Sequence, residues 1–249
     1  MNAFILAAGL GTRLSPLTDH KPKALIEVGG RPLIERVVDN LITKGKVDHF
    51  FINVHHCAPL LIEYINSMHR SKNALFTICD ESYRLLDTGG ALLNALPYLH
   101  GIDNIIVHNV DIITDIDYME LVGKHKSSIN DVTLLVKERD TSRKLLFDNE
   151  MLLKGWMDKK LGNTIPKIID IDNLRQFAFS GIHVMSRKSL DMLKEFRETI
   201  SNDTFSIITY YLWAMSKLKI SGYYSNAYKV WIDVGKHDTL KKANEMFEQ

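Results

Sequence analysis

Leu6-Ala7-Ala8-Gly9-Leu10-Gly11-Thr12-Arg13-Leu14 closes the apolar run Ala3–Ala8 with two glycines, a hydroxyl and an arginine. Six apolar residues followed at once by glycines read as a buried strand that ends in a turn. Glycines at 9 and 11 let the backbone turn and expose its N–H groups. Thr12 adds a hydroxyl donor, and Arg13 adds a fixed fork of donors. Together they make a cradle for phosphate. Leu14 stands where a dinucleotide fingerprint has its third glycine, and no Gly-Lys-Ser/Thr follows as a P-loop requires. At average residue usage, Gly-x-Gly-Thr-Arg-Leu arises by chance in roughly one chain of this length in a few thousand. An ordinary glycine turn is therefore the weaker explanation.

Outward from this loop, apolar runs of four to seven residues alternate with segments of helical period. That rhythm belongs to parallel strands covered on both faces by helices. Strands are expected at Ala3–Ala8, His49–Val54, Ala74–Cys79 and Asn104–Asn109, with helices near Pro32–Thr43, Pro59–His69 and Gly90–Leu99 between them. Pro32 and Pro59 suit first-turn helix positions. After Asp111 the rhythm changes. A helix near Tyr118–Lys126 and a strand Val132–Lys137 precede a hairpin in which Leu145–Phe147 and Leu152–Trp156 flank Asp148-Asn149-Glu150. Phe177–Met185 reads as a strand, Ser189–Glu198 and Phe205–Ser216 as helices, and Val230–Val234 as a late strand before a helix from about Asp238. No linker or repeat divides the chain, so one α/β domain is expected: a Rossmann-like, doubly wound mixed sheet whose second half adds a subregion around a shared cleft.

Composition narrows the function. Thirty-one Lys and Arg against thirty Asp and Glu leave a formal charge of +1, which gives the molecule no general attraction for a nucleic acid. Any anion must meet a local cluster. Cys57 and Cys79 have neither metal-ligand nor CxxC spacing and read as reduced thiols of a cytoplasmic protein. The N-terminal apolar run is too short for a signal sequence, and Phe205–Met215 falls short of a membrane span, so no membrane association is expected.

Lys21-Pro22-Lys23 follows the loop, and Pro22 fixes the backbone so that Lys23 can be aimed. Asp111 comes just after the run Ile105–Val107 and Asn109, at the carboxyl end of a strand, where open α/β sheets bind ligands. His55 and His56 are neighbours at a strand end and point to opposite faces, which argues against a shared metal. Asp115-Ile116-Asp117 and Asp170-Ile171-Asp172 each offer the Asp-x-Asp pair of a metal-dependent glycosyltransferase, but such an enzyme has no use for a triphosphate loop at 9–13.

Residues 6–41, LAAGLGTRLSPLTDHKPKALIEVGGRPLIERVVDNL, resemble the N-terminal signature of the sugar-1-phosphate nucleotidyltransferases, or nucleotidyl-sugar pyrophosphorylases. The nearest forms are their short members acting on N-acetylmuramate 1-phosphate with UTP or mannose 1-phosphate with GTP. The similarity runs over nearly the whole length, strongest before residue 115 and at Phe177–Val184 and Val230–Leu240. It implies the nucleotide-diphospho-sugar transferase fold, with a nucleotide-binding half at 1–115 and a sugar-binding, metal-completing half at 116–249. It also implies a reaction: a nucleoside triphosphate and a sugar 1-phosphate give a nucleotide sugar and pyrophosphate, with Mg²⁺ as cofactor.

Position by position, the resemblance assigns Gly9, Gly11, Thr12 and Arg13 to the triphosphate and Lys23 to the reacting phosphates. Leu6, Ala8 and the turn Thr88-Gly89-Gly90 would hold base and ribose, and bare glycines would let a flat base lie against backbone amides. The alternative for that turn is a helix N-terminus capped by Thr88. Asp111, together with Asp233 of Trp231-Ile232-Asp233-Val234-Gly235, would hold one Mg²⁺. Asn109 and Gly181, the latter in Phe179-Ser180-Gly181-Ile182-His183, would face the sugar phosphate.

Three features refine the match. Leu86-Asp87-Thr88-Gly89-Gly90 is more similar to the uridylyltransferase turn than to the Gly-Thr-Ala-Gly form of many guanylyltransferases. Val110 replaces the glycine that many members carry before the first aspartate. The Glu-Lys pair with which many relatives grip the sugar phosphate is missing, leaving Arg139, Arg143, Lys160 and Lys167 as candidates. A relative that binds a nucleotide sugar without turning it over is the main alternative to an enzyme.

Overall fold

Asn2–Leu6 forms the first strand, β1, and its alternation decides how the sheet is covered. A computed structural model describes residues 1–247. In chain order, β1 is followed by β2 (Glu27–Val28), β3 (Arg31–Pro32), α1 (Leu33–Gly45), β4 (His49–Val54), α2 (Ala58–Ser71), β5 (Leu75–Asp80) and α3 (Asp87–Ala95). Next come β6 (Asn104–Asn109), β7 (Ile112–Thr114), α4 (Tyr118–Ser127), β8 (Val132–Lys137), β9 (Arg143–Phe147), β10 (Leu153–Asp158) and β11 (Asn163–Ile165). The chain continues through β12 (Arg175–Ser186), α5 (Arg187–Glu198), α6 (Ile207–Ala214), β13 (Ile220–Tyr224), β14 (Trp231–Asp233) and α7 (His237–Phe247).

Strands β5, β4, β1 and β6 lie side by side and parallel. β12 adds antiparallel to β6, β8 antiparallel to β12, and β13 parallel to β8. Because side chains alternate along a strand, Ala3 and Ile5 face one layer while Phe4 faces the other. Ala3, Ile5, Phe50, Ile52 and Ile106 pack with Val37 and Leu41 of α1, Leu61 and Ile65 of α2, and Leu121 of α4. Phe4, Phe51, Ile105 and Val107 pack with Ala91 and Leu92 of α3, Leu190 and Leu193 of α5, and Tyr210 of α6. The sheet is thus mixed and wound with helices on both faces, as expected.

Element ends follow local chemistry. Asp117 caps α4 by accepting from the amides of Met119 (2.8 Å) and Glu120 (3.1 Å), and Ser186 and Ser206 cap α5 and α6. Pro59 lies in the first turn of α2, as expected, but Pro32 is the N-cap residue of α1, with ψ 143°. The expected hairpin is β9–β10, turned by Asp148, whose Oδ1 accepts from the amides of Glu150 and Leu152. β1 stops at Leu6, two residues earlier than its apolar run, because the Ala7 amide leaves the ladder for Asn53 Oδ1 at 2.7 Å.

A third cluster welds the chain's two ends together. Leu14, Ile26, Val28 and Leu33 pack with Ile113 of β7, Val234, and Leu240 and Ala243 of α7. Leu14 is fully buried there, and burying a leucine contributes about 2 kcal/mol. The residue that breaks the dinucleotide fingerprint is the one that fastens the glycine loop to the C-terminal strand and helix.

Candidate functional site

The chain order reverses at β1: β4 and β5 extend the sheet on one side, and β6 returns on the other. Ligand crevices open at the carboxyl end of such a reversal. Leu6 and Asn109, the last residues of β1 and β6, are in register there, and the Val110 amide donates to Leu6 O at 3.1 Å. A cavity of about 410 Å³ opens over them, lined by Leu6, Ala8, Gly9, Thr88, Asn109 and Asp111 among others. Lys23 also lines it. Of the residues expected to hold the nucleotide, Leu6, Ala8, Gly9 and Thr88 therefore meet in one place, while Gly11, Thr12, Arg13, Gly89 and Gly90 do not line it.

Within the loop the two glycines serve differently. Gly11 has φ 69°, and a Cβ there would come within 2.8 Å of Thr18 Cγ2 and 3.2 Å of Lys23 Cβ, so glycine is demanded by both backbone and packing. Gly9 needs no positive φ and has no other part of the chain within 4 Å of a built Cβ. Its bareness leaves room at the cavity wall. A 3₁₀ turn, Thr12–Leu14, then buries Leu14 and leaves Thr12 and Arg13 exposed.

Lys23 is buried, and its Nζ is paired with Asp111 Oδ2. Pro22, at φ −63° and ψ 143°, starts the 3₁₀ turn Lys23–Leu25 that aims it. Asp111 and Asp233 are far apart in sequence yet meet because β7 pairs with β14: Asp233 is opposite Ile112, and the Val234 amide donates to Asp111 O at 2.8 Å. Asp233 Oδ1 is buried without a hydrogen-bond partner. Burial pushes its carboxyl up, the Asp111 charge pushes the same way, and Lys23, Arg13 and Arg139 pull it down. Gly235 keeps this junction open, since a Cβ there would lie 2.6 Å from Asp233 Oδ1 and 2.7 Å from Arg13 Nη2.

Two carboxylates brought to one junction, one with an orphaned buried oxygen and with three cations acting on it, fit a hard divalent ion as well as anionic phosphate. No group of three or more potential ligands that could hold a metal occurs among the described residues. Mg²⁺ does not need one, because it takes one or two carboxylates and completes its shell with water and phosphate oxygens.

The description of one protein family, nucleotidyl transferase, matches residues 2–249. This chain belongs to that family. A solved structure of a putative glucose-1-phosphate thymidylyltransferase from Bacillus anthracis superposes on all of this chain and 96% of its own, with TM-score 0.80 at 20% identity. That likeness is one of fold. N-acetylmuramate alpha-1-phosphate uridylyltransferase from Caulobacter vibrioides is 40% identical over 110 residues, 44% of this chain and 45% of the relative. A mannose-1-phosphate guanyltransferase from Aspergillus oryzae is 29% identical over 209 residues, 84% of this chain and 56% of the relative. The chain spans about half the length of these curated relatives.

In this member of the family the Thr88-Gly89-Gly90 turn is built differently from the expectation. α3 begins at Asp87, and Thr88 Oγ1 accepts from the Ile207 amide, so it serves the start of α6 and does not cap its own helix. The amides of Gly89 and Gly90 both donate to Phe205 O, at 2.9 and 3.2 Å. A Cβ on Gly89 would strike the Phe205 ring at 2.3 Å, and one on Gly90 would strike Asp203 O at 2.1 Å. The segment 203–205, held by ion pairs from Arg84 and Arg197 to Asp203, covers both glycines. Their missing side chains serve this contact, and their amides are not free to read a base. Gly90→Ala is accordingly expected to lower stability by about 1–3 kcal/mol or more, because the clash is with backbone. Thermal unfolding checks it.

Gly181 shows the same pattern. It has φ 74° in a bulge of β12, and a Cβ would lie 3.0 Å from Asn109 Nδ2 and 3.1 Å from Ile112 Cγ1. Its bareness makes room for Asn109, which faces the cavity. Of the four basic candidates, Arg139 is the one whose charge acts on Asp233. Its guanidinium stacks 4.3 Å over Trp231, donates from Nη2 to Phe179 O at 3.0 Å, and leaves Nε buried without a partner. Burial lowers its pKa, and no carboxylate pairs with it among the described residues. Arg143 is spent on Asp158 at 3.6 Å, while Lys160 and Lys167 stand exposed on either side of β11.

Three of the four carboxylates in the two Asp-x-Asp pairs are occupied locally. Asp115 accepts from the Val230 amide, Asp117 caps α4, and Asp170 accepts from the Asp172 amide. His55 Nδ1 meets Glu81 O, and His56 Nε2 meets Thr18 O, so the rings face separate partners. Two features went unread in the sequence. Lys236 shares a small groove with Arg13 at the start of α7, and only the fold brings it there. Glu81, fully buried beneath the cavity, carried no motif signal of its own.

Proposed function

We propose that this chain joins a nucleoside triphosphate, UTP in preference to GTP, to a sugar 1-phosphate, giving a nucleotide sugar and pyrophosphate. The observation that supports the reading most is that Lys23 and Asp111, paired on the wall of a cavity large enough for a nucleotide, act together with Arg13 on the charge of Asp233. Preference for UTP rests on the similarity of Leu86-Asp87-Thr88-Gly89-Gly90 to the uridylyltransferase turn, of which Asp87 and Thr88 line the cavity, and on the uridylyltransferase from Caulobacter.

A sugar 1-phosphate is largely a dianion at neutral pH, since a phosphate monoester's second pKa is about 6. Its oxygen therefore needs no general base. That oxygen forms the new bond to the α-phosphorus while the bond from the α-phosphorus to the bridging oxygen breaks, and pyrophosphate leaves with the electron pair. Charge is the obstacle, because each unit-charge contact near 4 Å costs on the order of 4 kcal/mol at an effective dielectric of about 20. Arg13 and Lys236 stand where they can hold the β- and γ-phosphates and the departing pyrophosphate. Lys23 exchanges its pairing with Asp111 for the reacting phosphate, and Arg139, stacked on Trp231, takes the incoming sugar phosphate. Mg²⁺ held by Asp111 and Asp233 would neutralise the triphosphate and polarise its oxygens. Alignment and electrostatics then suffice for in-line transfer.

The test is a matrix of four triphosphates against a panel of sugar 1-phosphates with Mg²⁺ and inorganic pyrophosphatase, read as phosphate release. Turnover with one pair, higher with UTP than GTP, is expected. Silence of folded protein across the matrix would instead favour a binding protein that does not turn its ligand over. A higher kcat/KM for GTP would reverse the choice of base.

A further inference from the structure

At the floor of the cavity, which Asn53 itself lines, one continuous side-chain bridge joins its two walls. The Ala7 amide, at the entry to the glycine loop, donates to Asn53 Oδ1 at 2.7 Å. Asn53 Nδ2 donates to Glu81 Oε1 at 2.9 Å, and the Leu86 amide donates to Glu81 Oε2 at 3.3 Å. Asn53 lies near the tip of β4 and is 3% exposed, while Glu81 follows β5 and is 0% exposed. On one side the cavity is walled by Leu6, Ala8 and Gly9, and on the other by Leu85, Asp87 and Thr88.

The bridge admits only one pattern of donors and acceptors. With Oδ1 of Asn53 committed to the Ala7 amide, its Nδ2 must face Glu81, so Oε1 must accept. The Leu86 amide makes the same demand of Oε2. An ionised carboxylate accepts at both oxygens, whereas a protonated one would turn its O–H toward one of these two donors. Burying that charge is costly, and burial does push the Glu81 carboxyl up, opposed by the two donors. A glutamine would avoid the charge but would set one N–H against another.

We propose that Asn53 and Glu81 are positioning residues that fix the spacing between the glycine loop and the 85–88 wall, and so set how tightly the base and ribose of a nucleoside triphosphate are held. The proposal rests on the nucleotidyltransferase reading above and deepens it. Neither residue belongs to the phosphate-transferring set, so the effect falls on the nucleotide and not on the sugar phosphate.

A charge-moving swap tests this. Glu81→Gln alone opposes two donors, and Asn53→Asp alone opposes two acceptors. In the double variant the carboxylate now at position 53 accepts from the Ala7 amide and from the side-chain amide now at position 81. The carbonyl of that same amide accepts from Leu86, so every bond and the net charge are restored. We expect each single change to weaken UTP binding, measured by titration calorimetry, roughly tenfold or more. KM for the sugar 1-phosphate should stay within about twofold, and the swap should return UTP affinity to within about threefold of wild type.

Single variants that bind UTP as tightly as wild type would sink the inference alone. So would a swap whose loss is the product of the two single losses, or losses shared equally by both substrates. If a single variant does not fold, the swap decides: folded with near-wild-type UTP affinity it upholds the pairing, and folded without that affinity it overturns it. Folded wild type that binds neither UTP nor GTP overturns the underlying reading and the inference with it.

Discussion

Arg13→Ala is expected to lower kcat/KM by roughly 10²–10³ while leaving the unfolding midpoint nearly unchanged. Arg13 is exposed, so the fold loses little packing with it. Its guanidinium nevertheless lies against Gly235 and acts on Asp233. In the transition state the α–β bridging oxygen gains negative charge, and the donors aimed at it are those that lower the barrier. Arg13→Lys keeps the charge but gives up the planar fork that grips two phosphate oxygens at once. It is expected to recover part of the loss, about one order of magnitude. Steady-state kinetics on both variants, with thermal unfolding alongside, separates the outcomes. An alanine variant with near-normal kcat/KM would remove Arg13 from the reacting centre, and a lysine variant as active as wild type would reduce its role to charge alone.

What the sequence made legible follows from the range of the forces involved. The strands around His49–Val54 and Asn104–Asn109 declared themselves because a doubly covered strand must be apolar throughout, a purely local constraint. Lys23 was legible as an aimed side chain because Pro22 acts on the next residue. The reasons for the glycines were less legible. Gly89, Gly90 and Gly181 stood out, but a missing side chain does not say what fills its space. Here Phe205, Asp203 and Asn109 do, each brought in by long-range packing.

The same limit explains β13, which no local pattern announced: Ile220–Tyr224 becomes a strand because β8 offers it an edge. It also explains Glu81, a single acid between Asp80 and Ser82 whose importance lies in two partners on other segments. The meeting of Asp111 with Asp233 depends on β7 pairing with β14; the late strand was legible at Val230–Val234, but its three-residue partner β7 is too short to read from periodicity, and the pairing itself is long-range. Leu14 shows the converse. As a broken motif it spoke against one nucleotide fold, and as a buried anchor it explains why this loop sits beside the C-terminal aspartate.

The second large effect concerns that aspartate pair. Asp111 and Asp233 meet at the β7–β14 junction, and the Asp111 charge raises the cost of ionising Asp233. Lys23 pairs with Asp111, whereas Asp233 Oδ1 keeps no partner of its own. Such a pair should hold Mg²⁺ weakly until a triphosphate adds its oxygens, because two carboxylates fill only part of an octahedral shell. Asp111→Asn or Asp233→Asn keeps the shape and removes one ligand charge. Each is expected to lower kcat by two or more orders of magnitude with little change in the unfolding midpoint. On the proposal that both serve one ion, the double variant should lose little beyond either single one, as groups acting as a unit do. EDTA should abolish wild-type turnover, and excess Mg²⁺ should restore it. Losses that multiply in the double variant would mean separate roles for the two carboxylates. Near-normal turnover by Asp233→Asn would leave Asp111 and Lys23 to carry the reacting phosphate without it.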